Sequence, residues 1–363
     1  MLLSELTASA RRLALVGLAK NTGKTEALGA LLRELQADGR RVGVTSVGRD
    51  GEERDVIDFR IEKPRIQLAS GSLVATTDGL LRSSGLPHDL LEQTSMRTPL
   101  GRVLIARLRG PGAVEVAGPS AAGHVREVAD RMLELGAEQI LIDGAIDRRA
   151  ASSPDVADGL VISTGAVLGE DISDVVLQTK DAVELVRLPK ADTDSTIGKR
   201  LRQLAAGGQY ADGVFVDDAG VPVALPPRFL LSSEAEHVAQ LLDENPAGRW
   251  LIVAGALPDR FLRNVLHAAH KRRRELSLVV NDPTKVFLSK RGPAWYGRQG
   301  VRIETLNAID LLAITVNPVA PQSHTFDSAQ LRGLLEEAIV DVPVFDVMHP
   351  DYAGCMRRPT PAF

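Results

Sequence analysis

The chain of 363 residues contains a single cysteine, Cys355. No disulfide and no cysteine-built zinc site can form within it, and a reducing compartment, the cytoplasm, is the expected location. No segment comes near the roughly 20 consecutive apolar residues needed to span a bilayer, so no membrane association is expected. The opening MLLSELTASARRLALVG reads as no signal peptide, because its basic pair precedes only a short apolar run that enters a glycine loop. Neither sign of charge dominates: 43 basic residues face 47 acidic ones, a net charge of −4. A basic surface is not implied, and nucleic acid is not an expected partner. The seven histidines are scattered and make no metal-ligand spacing with the cysteine. Three chemical signatures are also missing. No Gly-x-Gly-x-x-Gly follows the first strand, no Gly-x-Ser-x-Gly elbow occurs, and no Asn-Lys-x-Asp marks a guanine site.

What is present is an ordinary globular composition, 44% hydrophobic and 25% charged. Short β-rich runs alternate with helical stretches from the start. Residues 12–17 (RLALVG) read as a buried strand, 24–38 as an amphipathic helix stopped by Gly39, and 41–47 as the next strand. Residues 102–109 and 113–117 flank a Gly-Pro-Gly turn and read as a hairpin, and 139–143 and 159–163 read as further buried strands. Strands separated by helices predict a mainly parallel sheet flanked by helices. At 190–210 the apolar strands stop, and the pattern then restarts. The expected organisation is an α/β nucleotide-binding domain over 1–195, a linker over 196–210, a second α/β domain over 211–352 and a tail over 353–363.

The stretch GLAKNTGKT at 17–25 carries the chemistry. A phosphate-binding loop needs a strand, small residues whose N–H groups close around phosphate oxygens, and a helix whose N-terminus faces the anion. Lys20, Asn21, Thr22, Gly23, Lys24 and Thr25 are the candidate binding residues. Lys24 would reach the β- and γ-phosphates as a catalytic cation, and Thr25 would ligate Mg²⁺. The usual spacing is not kept: five residues separate Gly17 from Gly23, and Leu18 stands where a glycine belongs. Asp143, at the end of the apolar strand EQILID, is the candidate carboxylate for the metal. Acids crowd 50–55; Asp50 and Glu53 are the pair expected to orient the attacking water, and Asp50 is a further metal candidate. The expected cofactors are Mg²⁺ and ATP, with GTP possible.

The loop resembles that of the SIMIBI branch of P-loop NTPases, which includes dethiobiotin synthetase, the cobyrinic acid amide synthases and the molybdopterin-guanine dinucleotide protein B. Lys20 is similar to the signature lysine of that branch, which reaches across a dimer. It stands four residues before Lys24 rather than five. A homo-oligomer is the matching expectation. GLAKNTGKTEAL, VTSVGRDGEERD, EKPRI, ILIDGAIDR, VNDPTKVF, ITVNPVAP and VPVFDVM together resemble the reactivase subunits associated with lysine 5,6-aminomutase. That resemblance implies an ATPase acting on a partner enzyme, a cobalamin-dependent aminomutase or a companion subunit, and driving release of damaged cofactor. Two alternatives stay open. One is a small-molecule ligase or kinase of the dethiobiotin-synthetase type, with substrate between the loop and Lys63-Pro64 or between domains. The other is a non-catalytic nucleotide-binding adaptor.

Polar residues also end the later strands: Asp259, Asn281, Asp282, Asn317 and Asp346. They would converge on one rim of a second sheet and bind a ligand, or they cap helices and turns, as Asp282-Pro283 and Asn317-Pro318 suggest. The basic run at 271–274 reads as a solvated helix end.

Overall fold

The computed structural model describes residues 2–48, 65–145, 149–208, 210, 212–289, 291–321 and 324–352. The chain divides into two compact units, one formed by residues 1–180 with 309–363 and the other by 181–308. Among the described residues, no helix is long and apolar enough to cross a membrane.

The first unit is a mixed α/β structure around a nine-stranded sheet. In spatial order its strands are Val344–Phe345, Asp310–Asn317, Gly159–Gly165, Arg12–Gly17, Gln139–Ala145, Val42–Ser46, Leu73–Thr77, Gly101–Leu108 and His88–Thr98. The first seven run parallel and the last two pair antiparallel. Parallel neighbours need crossovers, which the helices Lys24–Ala37, Ala122–Glu134 and Ser328–Ala338 help to supply. The strand Arg12–Gly17 sits near the middle, and Leu13, Ala14 and Leu15 are fully buried. Its unbroken apolar run is that of a strand covered on both faces.

The helix Lys24–Ala37 faces this core with Leu28, Leu31, Leu32 and Leu35, all buried. Each such leucine contributes about 1.5–3 kcal/mol, which anchors the helix that begins at the candidate loop. The helix ends in a Schellman turn, in which the Gly39 N–H donates to Gln36 O and the Arg40 N–H to Leu35 O. Both ends of the described chain meet on its buried face. The Glu34 carboxylate, fully buried, accepts from the Ser4 N–H at 2.8 Å and the Tyr352 hydroxyl at 2.6 Å. The same hydroxyl accepts from the Leu3 N–H at 3.1 Å.

Three expectations change. The strands Asp310–Asn317 and Val344–Phe345, inside the stretch 211–352 expected to form a second domain, belong to the first sheet, where Asp310–Asn317 pairs with Gly159–Gly165 along its length. The hydrogen-bonding edge of Gly159–Gly165 needs a partner, and the nearest strand in sequence does not supply it. The expected linker at 196–210 contains the helix Thr196–Ala206, capped by Ser195 and burying Leu201 and Leu204 inside the second unit. The residues around Gly-Pro-Gly form no hairpin. Gly101–Leu108 pairs with Leu73–Thr77 and His88–Thr98, whereas Gly112–Val114 pairs with Ile66–Leu68.

The second unit holds a five-stranded sheet in the order Pro222–Ala224, Gly213–Asp217, Gly248–Val253, Leu276–Val280 and Val301–Thr305. The last three are parallel. Its polar strand ends serve turns. Asp282 accepts from the Thr284 N–H at 2.9 Å and from the Asn281 amide at 3.0 Å. Asp259 accepts from the hydroxyls of Ser289 and Tyr296. The basic run is not wholly solvated: Arg272 pairs with Asp243, and Arg274 donates to the carbonyls of Leu242, Asn245 and Gly248.

Two measurements check these contacts. Tyr352→Phe leaves Glu34 without its hydroxyl donor and is expected to lower stability by about 1–3 kcal/mol in urea unfolding; an unchanged midpoint would show that the contact carries no stability. Burial, and then the Asp259 carboxylate, push the Tyr296 phenol up from 10.0 to about 12. Below pH 10 both folded and unfolded states keep this proton, so the stabilisation is whole; it is lost as pH rises through 10 towards 12. The difference in ultraviolet titration between the parent and Tyr296→Phe should show this phenol ionising near 12, and ionisation at the ordinary tyrosine value would refute the burial argument.

Candidate phosphate-binding site

The strand Arg12–Gly17 delivers the chain to a tight turn, and the helix Lys24–Ala37 starts after six intervening residues. The Leu18 N–H, donating to Ser163 O at 2.9 Å, ties the first turn residue to the neighbouring strand. Thr22, 1% exposed, folds back, and its hydroxyl donates to Ala19 O at 3.0 Å. This closure leaves no room at Gly17, where a Cβ would lie 2.7 Å from Thr22 Oγ1 and 3.2 Å from Ala19 O. The extra residue in the loop is thus taken up by a compact internal turn. Asn21 and Gly23 are left-handed, with φ of 66° and 82°. Asparagine tolerates that region and glycine prefers it.

Left-handed residues in such a turn form an anion-binding nest. Among the described residues, the N–H groups of Asn21, Thr22 and Gly23 donate no hydrogen bond. Gly23, the N-cap, has no side chain to satisfy the first-turn amides of the helix. Open donors and the positive end of the helix dipole therefore share one place.

Asp143 comes to this place along the adjacent parallel strand, with Leu15 opposite Asp143 in the register. Lys24 Nζ lies 2.6 Å from Asp143 Oδ1, and both side chains are half-buried. The cation expected to meet phosphate and the carboxylate expected to meet metal thus hold each other. Thr25 stands next on the helix, partly exposed, and Lys20 and Asn21 are exposed. Among the described residues no three His, Cys, Asp or Glu side chains gather as a metal site. Mg²⁺ does not require one, since it commonly takes one or two carboxylates and keeps several waters. A hydroxyl and a carboxylate beside open phosphate donors fit that requirement. Asp50 and Glu53 lie outside the described residues.

One neighbour of the loop is not where the sequence suggests. Asn317, grouped above with the polar ends of a second sheet, closes the strand Asp310–Asn317 in the first sheet and contacts the loop. Its position at a strand end was readable; its partner strand was not. Asp346 likewise belongs to the first unit and accepts from the Ser328 hydroxyl at 2.6 Å and the Met348 N–H at 3.0 Å.

No protein-family model matches the chain, and no curated protein does. Among solved structures, that of pNOB8 ParA bound to nonspecific DNA is similar at 14% identity and a TM-score of 0.25, over 50% of this chain and 63% of that one. The match spans less than two thirds of that chain, and at this score it carries no argument for fold or function here. One expectation is nevertheless corrected. The exclusion of nucleic acid is withdrawn, because a net charge of −4 averages over a surface that can still carry local basic patches.

The Lys24–Asp143 pair can be tested directly. Asp143→Asn frees Lys24, so inorganic triphosphate without metal should bind about 2–5-fold more tightly, the equivalent of a partly exposed ion pair of up to about 1 kcal/mol. The same substitution should erase the gain in affinity that Mg²⁺ gives the parent. Calorimetric titrations showing the parental metal dependence would remove Asp143 from the site.

Proposed function

We propose that the chain is a P-loop nucleoside-triphosphatase that binds Mg²⁺-nucleotide at residues 17–25. The carrying observation is the strand–turn–helix in which the N–H groups of Asn21, Thr22 and Gly23 stay open beside Lys24. The backbone donors of residues 21–25 hold the phosphates, and Lys24 offsets charge on the β- and γ-phosphates. Thr25 and Asp143 hold the metal. Bound Mg²⁺ neutralises charge on the phosphate oxygens. The exchange of partners is built in: Lys24 must leave Asp143 to reach phosphate, which frees the carboxylate. Asp50 and Glu53 are assigned to orienting water, with Asp50 a further metal candidate. Lys20 is assigned to the nucleotide rim. ATP is favoured over GTP because the Asn-Lys-x-Asp signature is missing.

A narrower reading couples hydrolysis to work on another enzyme, the release of damaged cofactor from a cobalamin-dependent aminomutase. Its support is the set of sequence segments that resemble reactivase subunits. An NTPase loop ordered by a γ-phosphate can transmit such a change.

Lys24→Ala is expected to cut ATP hydrolysis by about 100-fold or more, the scale for removing one charge-stabilising group. The loss of a partly exposed ion pair should cost the fold no more than about 1 kcal/mol. Phosphate release at the parental rate from a folded Lys24→Ala protein would end the assignment. Turnover that rises only when an inactivated mutase is added would favour the narrower reading, whereas turnover indifferent to it would remove that reading and leave the nucleotide site standing.

A further inference from the structure

The loop at 17–25 is held from a part of the chain far away in sequence. The Asn317 side-chain amide donates to Asn21 O at 2.9 Å across a separation of 296 residues. Its Oδ1 accepts from the Val319 N–H at 3.1 Å. Both polar ends of the side chain are therefore used by backbone groups, one in the loop and one in its own segment. The segment itself is fixed. Asn317 pairs with Gly165 at the end of the strand ladder, Phe326 N–H donates to Pro318 O, and Ala320 N–H donates to His324 O. Asn317 also borders the helix start: a Cβ at Gly23 would lie 3.0 Å from Asn317 Cβ.

Asn21 is the position that most needs such support. It is a non-glycine residue at φ 66°, exposed, in a loop with one residue more than the common spacing. A left-handed residue of this kind costs free energy unless its surroundings hold it. The bond from Asn317 fixes the carbonyl of Asn21 and so fixes the peptide plane whose other end is the N–H of Thr22. That N–H is one of the open donors.

We propose that Asn317 is a positioning residue for the phosphate site, clamping the Asn21 carbonyl so that the loop amides are aimed before any ligand arrives. The strand Asp310–Asn317 is then a working part of the site. This inference rests on the nucleotide-site reading for its ligand, the di- or triphosphate group, but not for the clamp itself.

The experiment titrates the full chain and its Asn317→Ala and Asn317→Asp variants with inorganic triphosphate and with ATP, each with Mg²⁺. Thermal melting and backbone NMR order parameters of the ligand-free proteins are recorded alongside. Asn317→Asp keeps the acceptor for Val319 and loses the donor to Asn21, so it separates the clamp from the segment's own fold. The expected result for Asn317→Ala is an equal loss for both ligands of about 3–10-fold, the scale of one hydrogen bond. Asn317→Asp should lose more, because it sets a carboxylate against a carbonyl oxygen. The backbone order parameters of residues 21–23 should fall in both variants, with melting temperatures within a few degrees of the parent. Parental affinity for triphosphate in both variants would overturn the proposal. A loss confined to ATP would also overturn it, because the side chain would then serve the base and not the loop. A parent that binds neither ligand would sink the nucleotide-site reading instead; the order parameters alone would then decide, with parental values in the variants refuting the clamp.

Discussion

The tight turn after the strand Arg12–Gly17 constrains the first unit. The Thr22 hydroxyl reaches back to Ala19 O and fills the space where a side chain on Gly17 would go. With that space taken, residues 18–23 close on themselves and the helix Lys24–Ala37 begins with its N-terminus at the carboxyl edge of the sheet. A larger residue at Gly17 would push the Thr22 hydroxyl away from Ala19 O and open the turn. The four buried leucines of the helix set its direction, but the closure at Gly17 sets where it starts.

Around this turn the parallel sheet gathers groups that no local pattern could bring together. Asp143 comes from the strand on one side, and Ser163, which anchors Leu18, from the strand on the other. Asn317 comes from one strand further out. Each sits at a carboxyl end, so their meeting follows from strand order alone. The order places residues from the start, middle and end of the chain within reach of one loop. The contact of Tyr352 and Ser4 with Glu34 does the same on the buried side of the helix. The loop and its helix are thus braced from two directions.

The second unit is simpler. Its polar strand ends are largely spent on hydrogen bonds within turns, as with Asp282 and Asn281, or on buried hydroxyls, as with Asp259. Arg274, in a run that reads as a solvated helix end, instead satisfies three backbone carbonyls. A basic run on a helix end can thus be partly a structural device, and the difference lies in which carbonyls stand opposite it.

Much of the site was legible because its signals are local. An apolar run, a glycine-bounded loop with Gly-Lys-Thr, and a helix with leucines at three- and four-residue spacing all lie within 26 consecutive residues, 12–37. The strand that carries Asp143 was legible for the same reason, although it runs on to Ala145. What the sequence could not fix was the pairing of distant strands. Residues 310–317 carry an apolar pattern that suits either sheet, and only the free edge of Gly159–Gly165 decides between them. The turn at Gly-Pro-Gly misled in the same way, since Gly112–Val114 found a partner in Ile66–Leu68 rather than in its neighbour. The amino-acid sequence by itself determined the strand, the turn residues and the helix of the candidate loop, because these depend on contacts between near neighbours. The tertiary structure alone decided that Asn317 and Asp143 would meet at that loop, because backbone hydrogen bonding along a sheet edge is blind to side-chain identity and settles on whichever strand folding brings alongside.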